Sequence, residues 1–344
     1  MYNYYKYVEG SVKIMYVKKL RVPFSVICSM MIFLQPLFCA KAADDHEKKF
    51  GLFSYSYGYV SREYAPGKVN IGDYIQSLAA KQFFPNSYNS ILIDRDNLGL
   101  YNGPKVKMIM NSWYYLNKNN KAFSNNIDPI FVSLHINNTN SIAKETVEYL
   151  KKHEPIGCRD YATSLALNKK GVNAYFSGCL TTTLDEKYKV DDSERTDEII
   201  FCDYKMGWYP KADEYLKSLK EYNFDKVTYT NHEIYSKKLT HEERFKIAED
   251  LLKKYAKAKL VVTSRIHCAL PCLALGTPVI LVKEDYDKKR FDGLYDLLNT
   301  IGKDKKGNFK IRVNLDKTGK VFNSKDYLKY AEELKRTVRS RVSA

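Results

Sequence analysis

The segment 261–282 limits the fold of this chain more than any other part of the sequence. It begins with an apolar run that predicts a buried strand, continues through a turn with Arg265 and His267, and then enters a helix. Gly276 and Pro278 end that helix, and a second apolar run follows. Strand, helix and strand in this order predict a parallel βαβ unit. Core packing explains the Val, Leu and Ile residues but not Arg265 or His267.

The turn between the first strand and the helix is also a candidate anion site. Arg265 and His267 stand at the carboxyl end of the predicted strand and at the amino end of the helix. The free backbone N–H groups and the dipole of a helix start favour an anion. Ligands of open parallel sheets bind outside the carboxyl ends of the strands. Both observations place a ligand at the same turn.

Length and pattern predict two α/β domains. The chain has 344 residues, enough for two cores, and its 44% hydrophobic content excludes global disorder. Strand and helix patterns alternate in both halves, so we predict two doubly wound, Rossmann-like domains that face each other across a cleft. The predicted domains are 43–184 and 197–323, with a polar linker at 185–196. Residues 324–344 predict a last, basic helix that could pack back on the first domain.

Several local patterns predict where helices begin. Asp160 is typical of an N-cap, and Thr240 with Glu243 predicts a capping box. His135 ends a predicted strand of the first domain and is interpreted as a structural histidine.

The first 42 residues resemble a secretory signal. An apolar run at 22–40 follows the basic residues 18–21 and precedes a small-x-small site at 40–42. Pro36 interrupts the run, and the uninterrupted apolar part that remains is too short for a comfortable membrane span. We predict a cleaved signal peptide and localisation in the secretory pathway or export. An uncleaved segment that associates with the membrane is the alternative.

The net charge leaves several partner classes open. The formal charge is +16, of which residues 1–42 contribute +5, leaving +11 for the remainder. A basic surface suits an anionic substrate, a polysaccharide, a membrane surface or nucleic acid. The lysines are scattered among acids along predicted helices, which is typical of solvated faces. Because the sequence contains no recognisable nucleic-acid module, nucleic acid is not a predicted partner.

The cysteines predict neither a disulfide framework nor a metal site. An odd number lies outside the signal segment, without a CxxC pair: Cys158, Cys179, Cys202, Cys268 and Cys272. No histidine or cysteine pair accompanies Cys268 and Cys272 at metal-ligand spacing. At most one or two bridges are possible among the five, and we interpret Cys268 and Cys272 as small, buried, apolar residues.

Three short motifs occur in a fixed order along the chain. They are Asn-Ile-Gly-Asp at 70–73, Ile-Gly-Cys-Arg-Asp at 156–160, and Thr-Ser-Arg-Ile-His at 263–267, with Gly-Thr-Pro at 276–278 behind the last. The ordered set resembles the polysaccharide pyruvyl transferase family over roughly residues 50–300. The resemblance implies a fold like that of the GT-B glycosyltransferases. It also implies transfer of a pyruvyl group from phosphoenolpyruvate to two hydroxyls of a sugar, forming a ketal and releasing phosphate.

The resemblance also assigns roles to individual residues. It implies that Arg159 and Arg265 bind phosphoenolpyruvate, that His267 lies beside this donor, and that Asp73 is near the cleft as a catalytic acid or base. Further substrate-binding residues are implied more loosely: Asn70, Gly72 and Arg290. Cys268 stands where the family commonly has glycine. Simpler roles stay open: a helix-start residue for His267, ion pairing for Arg159 and helix capping for Asp73.

The implied chemistry fits these residue types. Phosphoenolpyruvate carries a phosphate and a carboxylate, and planar arginine forks bind both groups well. Ketal formation needs a proton at the methylene carbon and a hydroxyl added at its neighbour, and a histidine can give or take such a proton. No step needs a cofactor, so none is predicted. The predicted acceptor is a cell-surface or secretory-pathway glycan or a lipid-linked sugar, as in exopolysaccharide biosynthesis.

Two other functions stay open at this point. A nucleotide-sugar glycosyltransferase could use the same GT-B scaffold, because a fold does not fix a function. A non-catalytic, exported glycan-binding protein is the other alternative, motivated by Cys268 together with the signal segment.

Overall fold

The computed structural model of the chain describes residues 49–57, 67–85, 90–116, 123–235, 239–283, 290–304 and 306–344. The predicted signal segment lies outside these residues. Within the described ranges, no helix combines the length and the apolar character that a membrane crossing requires.

The first half of the chain alternates short strands and helices. Its strands are β1 (Phe50–Ser54), β2 (Lys68–Asn70), β3 (Ile91–Asp94), β4 (Val106–Ile109), β5 (Trp113–Tyr114), β6 (Ile127–Ile130), β7 (His135–Ile136), β8 (Ile156–Cys158) and β9 (Ala174–Phe176). Its helices are α1 (Ile71–Lys81), α2 (Lys144–Lys151), α3 (Tyr161–Asn168) and α4 (Asp185–Tyr188). The sheet order β3-β1-β4-β6 is parallel throughout, and β8 pairs with β9, also in parallel.

The second half has longer helices and a larger sheet. Its strands are β10 (Ile199–Cys202), β11 (Val227–Thr230), β12 (Glu233–Tyr235), β13 (Leu260–Thr263), β14 (Val279–Lys283), β15 (Asn299–Lys303) and β16 (Phe309–Arg312). Its helices are α5 (Pro210–Ser218), α6 (His241–Lys257), α7 (Ile266–Ala274) and α8 (Leu328–Ser343). The sheet order is β11-β10-β13-β14-β15-β16, with only the β15–β16 pair antiparallel. The protein is therefore a mixed α/β fold with parallel sheets.

The βαβ unit predicted from the opening segment is present. The β13 strand is buried at every position and pairs in parallel with β14, and α7 connects the two. Gly276 follows α7 with a φ of +69°, the left-handed conformation that a glycine after a helix adopts readily. Every residue of α7 is buried. The helix packs against the strands β13 and β14 and against the helices α1 and α6.

The predicted helix starts are also confirmed. The Asp160 carboxylate accepts a hydrogen bond from the backbone N–H of Thr163 at the start of α3. Thr240 and Glu243 form the reciprocal capping box of α6. Each of these signals depends on residues within one helical turn, which is why the sequence reveals them.

Helix α8 contacts residues from the first half of the chain. Its Lys335 ammonium lies 2.8 Å from the Asp185 carboxylate, and Tyr330 stacks edge-on against Phe176 with ring centroids 5.0 Å apart. The Lys107 ammonium donates to the backbone carbonyl of Arg341. The larger of two hydrophobic clusters in the described residues includes side chains from both sheets and from α8.

Candidate active site

Three connections between a strand and a helix come together around one buried cluster. The β2–α1 junction supplies Asn70, the β8–α3 junction supplies Arg159, and the β13–α7 junction supplies Arg265 and His267. Helix α1 packs against α7, which brings the first and the third of these junctions together. The cluster therefore combines residues from all three motifs.

Arg159 and His267 are in direct contact, although 108 positions separate them in the sequence. The Arg159 Nη1 atom lies 3.3 Å from His267 Nε2, and both side chains are buried. Since a guanidinium can only donate, Nε2 must accept, which leaves the ring neutral with its proton on Nδ1. Burial, followed by the charge of Arg159, lowers the pKa of His267 well below its usual range and agrees with this tautomer.

Arg159 has hydrogen-bonding capacity that the described residues do not use. Its Nη1 also donates to Gln76 Oε1 at 3.3 Å, while its Nε and Nη2 atoms are buried without a hydrogen-bond partner. Among the described residues, no carboxylate forms an ion pair with Arg159. The geometry therefore does not show the simple ion pairing that the sequence left open for this residue. Burial lowers the pKa of this guanidinium. An anion that entered the cluster would find two donors without a partner and a guanidinium that forms no ion pair with a described carboxylate.

Gln76 connects this pair to Asp73. Its Nε2 donates to Asp73 Oδ1 at 3.1 Å while its Oε1 accepts from Arg159. Burial raises the pKa of Asp73, and Arg95 and Tyr57 offset part of that effect. The sequence analysis did not identify Gln76; the available signal was a polar residue within the apolar face of α1, one turn after Asp73.

Arg95 is a second buried guanidinium beside Asp73. Its Nη1 lies 3.9 Å from Asp73 Oδ2, its Nε pairs with Asp96 at 2.8 Å, and its centre lies 4.1 Å from the ring centroid of Trp113. Because Asp96 shares the charge of Arg95, Asp73 is only partly compensated. In the sequence, the acids on either side of Arg95 were the only sign that this arginine takes part in ion pairing.

His135 also lies in this region, oriented by Asp160. The His135 Nδ1 atom lies 2.7 Å from Asp160 Oδ2, and its Nε2 is buried without a hydrogen-bond partner in the described structure. Burial is the main cause that lowers the pKa of His135. The charge of Arg290 acts on His135, Arg159 and His267 alike, so it lies near all three. The burial of His135 and its contact with Asp160 are compatible with the structural role interpreted from the sequence, and its unpaired ring nitrogen adds a candidate polar group to the cluster.

Arg265 is close to the cluster but its charge is shared. The Nε atom donates to Asp203 at 2.9 Å and Nη2 lies 2.6 Å from a Glu233 carboxylate oxygen. Burial raises the pKa of Asp203, although the charge of Arg265 opposes that rise. A role in binding the donor, as predicted, would need one of these ion pairs to open.

Asn70 and Gly72 shape the wall of the cluster. The Asn70 side chain caps α1 by accepting from the backbone N–H of Gly72 at 3.0 Å. A Cβ atom at position 72 would lie 3.0 Å from His232 Nδ1 and 3.2 Å from the Cβ of His267. Glycine is therefore required here by the close approach of two histidines, and Asn70 has a capping role whatever else it binds.

Replacement of Gly72 with alanine should move His267. The new methyl group would be closer to Asn70 Oδ1, His232 and His267 than van der Waals contact allows. We expect a loss of about 1–3 kcal/mol in the free energy of unfolding, measured by urea denaturation. Asn70→Ala is the matched control, since it removes the cap at a cost of about 1 kcal/mol but adds no atom beside His267. Equal activity of both variants toward the substrate would contradict this steric account.

The buried His135 should make stability depend on pH. Its folded pKa is lowered while the unfolded value is about 6.5, so below that pH the unfolded chain binds a proton that the native protein does not. Stability conferred by this group is therefore present above about pH 6.5 and declines as the pH falls toward the folded pKa. Asp160 and Thr163 hold its Nδ1, and Arg159 and Arg290 oppose its protonation. We expect His135→Gln to flatten the decline in unfolding free energy between about pH 6.5 and pH 5; parallel pH profiles would contradict this.

Comparison with known proteins decides the family. The model of the polysaccharide pyruvyl transferase family matches residues 70–286, more than half of the chain. The chain belongs to the polysaccharide pyruvyl transferase family. The resemblance predicted from the three motifs is thus confirmed, and the family is one of transferase enzymes that act on polysaccharides.

The remaining comparisons add little about this family member. No curated protein matches the sequence significantly. A solved structure of an uncharacterised protein from Klebsiella pneumoniae is similar at 14% identity and a TM-score of 0.40, covering 72% of this chain and 89% of that one. Similarity at this level carries no argument about function.

The structure explains how a pyruvyl transferase family member accommodates Cys268. This residue is fully buried in the first turn of α7, and its thiol contacts Cys202, Cys272 and Thr263 in the interior behind His267. All five described cysteines are free and buried, which confirms the burial predicted for Cys268 and Cys272. The thiol therefore fills interior space and does not lie between Arg159 and His267.

Proposed function

We propose that this chain transfers a pyruvyl group from phosphoenolpyruvate to two hydroxyls of a sugar, forming a ketal and releasing phosphate. Membership of the family supports a transferase that acts on a glycan. The observation that carries the proposal is the buried Arg159, whose two unpaired nitrogen donors lie beside the neutral ring of His267. Such a group is suited to a small, doubly anionic donor such as phosphoenolpyruvate.

The scaffold that we propose is of the GT-B type, with one domain around each main sheet. The parallel four-stranded sheet comes from the first half of the chain and the six-stranded sheet from the second, which supports this arrangement. The site residues follow the ends of β8 and β13, where ligands of open parallel sheets bind. The domain bounds 43–184 and 197–323 and the linker 185–196 remain predictions.

Positive charge would hold the donor and stabilise its departing phosphate. Arg159 would bind the carboxylate or a phosphate edge through Nε and Nη2, and Arg290 would add charge nearby. The start of α7 has no side-chain cap, so its backbone N–H groups add a favourable dipole. Groups that face the phosphate before it leaves stabilise the charge that develops on it. Arg265 would join them by exchanging its ion pair with Asp203 or Glu233.

The proton transfers balance without any further reagent. The first sugar hydroxyl adds to the central carbon of the donor, and its proton passes to His267 Nε2 once Arg159 Nη1 has turned from that nitrogen to the bound anion. The methylene carbon takes a proton from Asp73 and becomes a methyl group. The bond from the central carbon to the phosphate oxygen then breaks, and the second hydroxyl adds in its place. The second hydroxyl returns a proton to Asp73, and His267 passes its proton to the phosphate, so the base His267 and the acid Asp73 both recover their starting states.

Incubation with phosphoenolpyruvate and a panel of galactosides and hexosamine glycans tests this function. We expect phosphate release, followed by ³¹P NMR, in equal amount to an acid-labile mass gain on the sugar of pyruvic acid less one water. The Asp73→Asn variant should release far less, because its amide keeps the shape but has no acidic proton. No release across a broad panel, with thermal stabilisation by a nucleoside diphosphate instead, would favour the glycosyltransferase alternative. An unchanged cellular phenotype of Arg265→Ala and His267→Ala would favour a non-catalytic glycan-binding protein.

We also propose that the chain enters a secretory route through its first 42 residues. The basic stretch at 18–21, the apolar run at 22–40 and the small residues at 40 and 42 support this. N-terminal sequencing of the protein isolated from its source should find a mature terminus near residue 43 if the signal is cleaved. A terminus at Met1 or Met15 would instead support an uncleaved segment.

A further inference from the structure

A compact set of metal-ligating side chains lies directly behind the start of α7. It consists of Cys202 at the end of β10, His232 in the connection from β11 to β12, and Cys268 in the first turn of α7. All three are at most 1% exposed, and their sulfur and ring nitrogen atoms lie within 4.8 Å of one another. Three separate elements thus bring two thiols and an imidazole to one point.

A fourth donor completes the set. The Tyr255 hydroxyl, on α6, lies 3.0 Å from His232 Nε2 and 3.2 Å from Cys202 Sγ, and it is fully buried. Two sulfur atoms, one nitrogen and one oxygen around a common centre match the ligand number of a closed tetrahedral site. Thiolate and imidazole ligands select zinc over the hard cations magnesium and calcium.

The electrostatics of the location favour a site of low net charge. Burial raises the pKa of both the Cys202 and the Cys268 thiols well above the usual range, so neither ionises there unaided. A divalent cation bound by two thiolates and a neutral imidazole has no net charge. Such a site avoids the cost of burying a net charge in the interior.

We propose that Cys202, His232 and Cys268 bind a zinc ion, with Tyr255 as the fourth ligand. The ion would be structural, since all four ligands are buried and come from the protein. The sequence predicts no metal here because the four ligands lie in four separate segments without a recognisable spacing. The inference is independent of the donor and acceptor proposed above.

The position of this zinc site connects it to the active-site cluster. Cys268 directly follows His267, so a metal at its sulfur would fix the first turn of α7. The backbone carbonyl of His232 accepts from the N–H of Ile71 at 2.8 Å, and its ring would contact a Cβ at Gly72. One ion would therefore fix the positions of the first turns of α7 and α1 relative to each other.

Cobalt substitution tests the zinc site without any assay of activity. Purified full-length protein, stripped with a chelator and titrated with Co²⁺, should show a thiolate-to-cobalt charge-transfer band that saturates at one equivalent. Cys202→Ser and Cys268→Gly should weaken Co²⁺ binding at least tenfold. Cys158→Ser, at a buried cysteine on β8 outside the set, is the matched control and should bind as the wild type does. No band in the wild type, or an unchanged band in Cys202→Ser, would overturn the proposal.

Thermal unfolding gives a second measurement that does not need the Cys202 variant to fold. Binding to the native state alone raises the melting temperature, so the wild type and Cys158→Ser should melt higher with Zn²⁺ than with a chelator. Cys268→Gly should melt at the same temperature in both. Equal melting of the wild type with and without zinc would overturn the proposal. Mass-spectrometric detection of a Cys202–Cys268 disulfide in protein purified without reductant would also overturn it.

Discussion

Replacement of Arg159 with methionine should abolish phosphoenolpyruvate binding while it raises the free energy of unfolding by about 1–3 kcal/mol. The guanidinium is 1% exposed, two of its nitrogens are unpaired, and its contacts with Gln76 and His267 are both long, at 3.3 Å. In the protein without ligand, these contacts therefore offset little of the free-energy cost of removing the guanidinium from water. Methionine fills a similar volume without a charge to bury. Sites built for a ligand are often destabilising in this way.

Arg195→Met provides the contrast for this prediction. Arg195 donates to the carbonyls of Ala256 and Leu275, to the Thr277 hydroxyl and to Asp192, so its hydrogen-bonding groups are well used. Its loss leaves partly buried acceptors unpaired and should lower the unfolding free energy by about 1–3 kcal/mol. Urea denaturation measures both effects, and titration calorimetry measures the binding of phosphoenolpyruvate. The account is wrong if Arg159→Met is the less stable variant or still binds the donor.

The His267→Gln variant should lower kcat by about 10²–10⁴-fold with a much smaller change in KM for phosphoenolpyruvate. Glutamine can accept the hydrogen bond that Arg159 donates to Nε2, so the local geometry is kept. It cannot take up a proton from the sugar hydroxyl at neutral pH, so the chemical step should suffer more than binding.

His241→Gln is the matched control for this variant. His241 is a partly buried histidine that contacts the Tyr74 hydroxyl at 2.8 Å, at the start of α6 and away from Arg159. Its kcat should stay within a factor of about three of the wild type. Steady-state kinetics on the three proteins separate the effects, and a His267→Gln enzyme within about tenfold of the wild type would remove this residue as the base.

The sequence predicted those parts of the site that local patterns determine. The strand, turn and helix around His267 follow from apolar runs and from Gly276, and the cap by Asp160 depends on one helical turn. The family resemblance implied that Arg159 and His267 both lie at the donor, and the structure places the two side chains in contact.

The remaining features depend on contacts between distant residues that no local pattern reveals. Gln76 reaches Arg159 across 83 positions, and Arg265 reaches Asp203 across 62. Residue type alone gave no sign that Arg265 would be held by two carboxylates. Likewise, the ring nitrogen of His135 became a candidate group only once its burial and its missing partner were visible.

A crystal structure with phosphoenolpyruvate bound tests the central claim most directly. The account predicts oxygen atoms of the donor within hydrogen-bond distance of Arg159 Nε and Nη2, with the His267 ring beside its central carbon. The Arg159→Met protein, soaked in the same way, should contain no donor. Donor bound away from Arg159, with Nε and Nη2 still unpaired, would contradict the account.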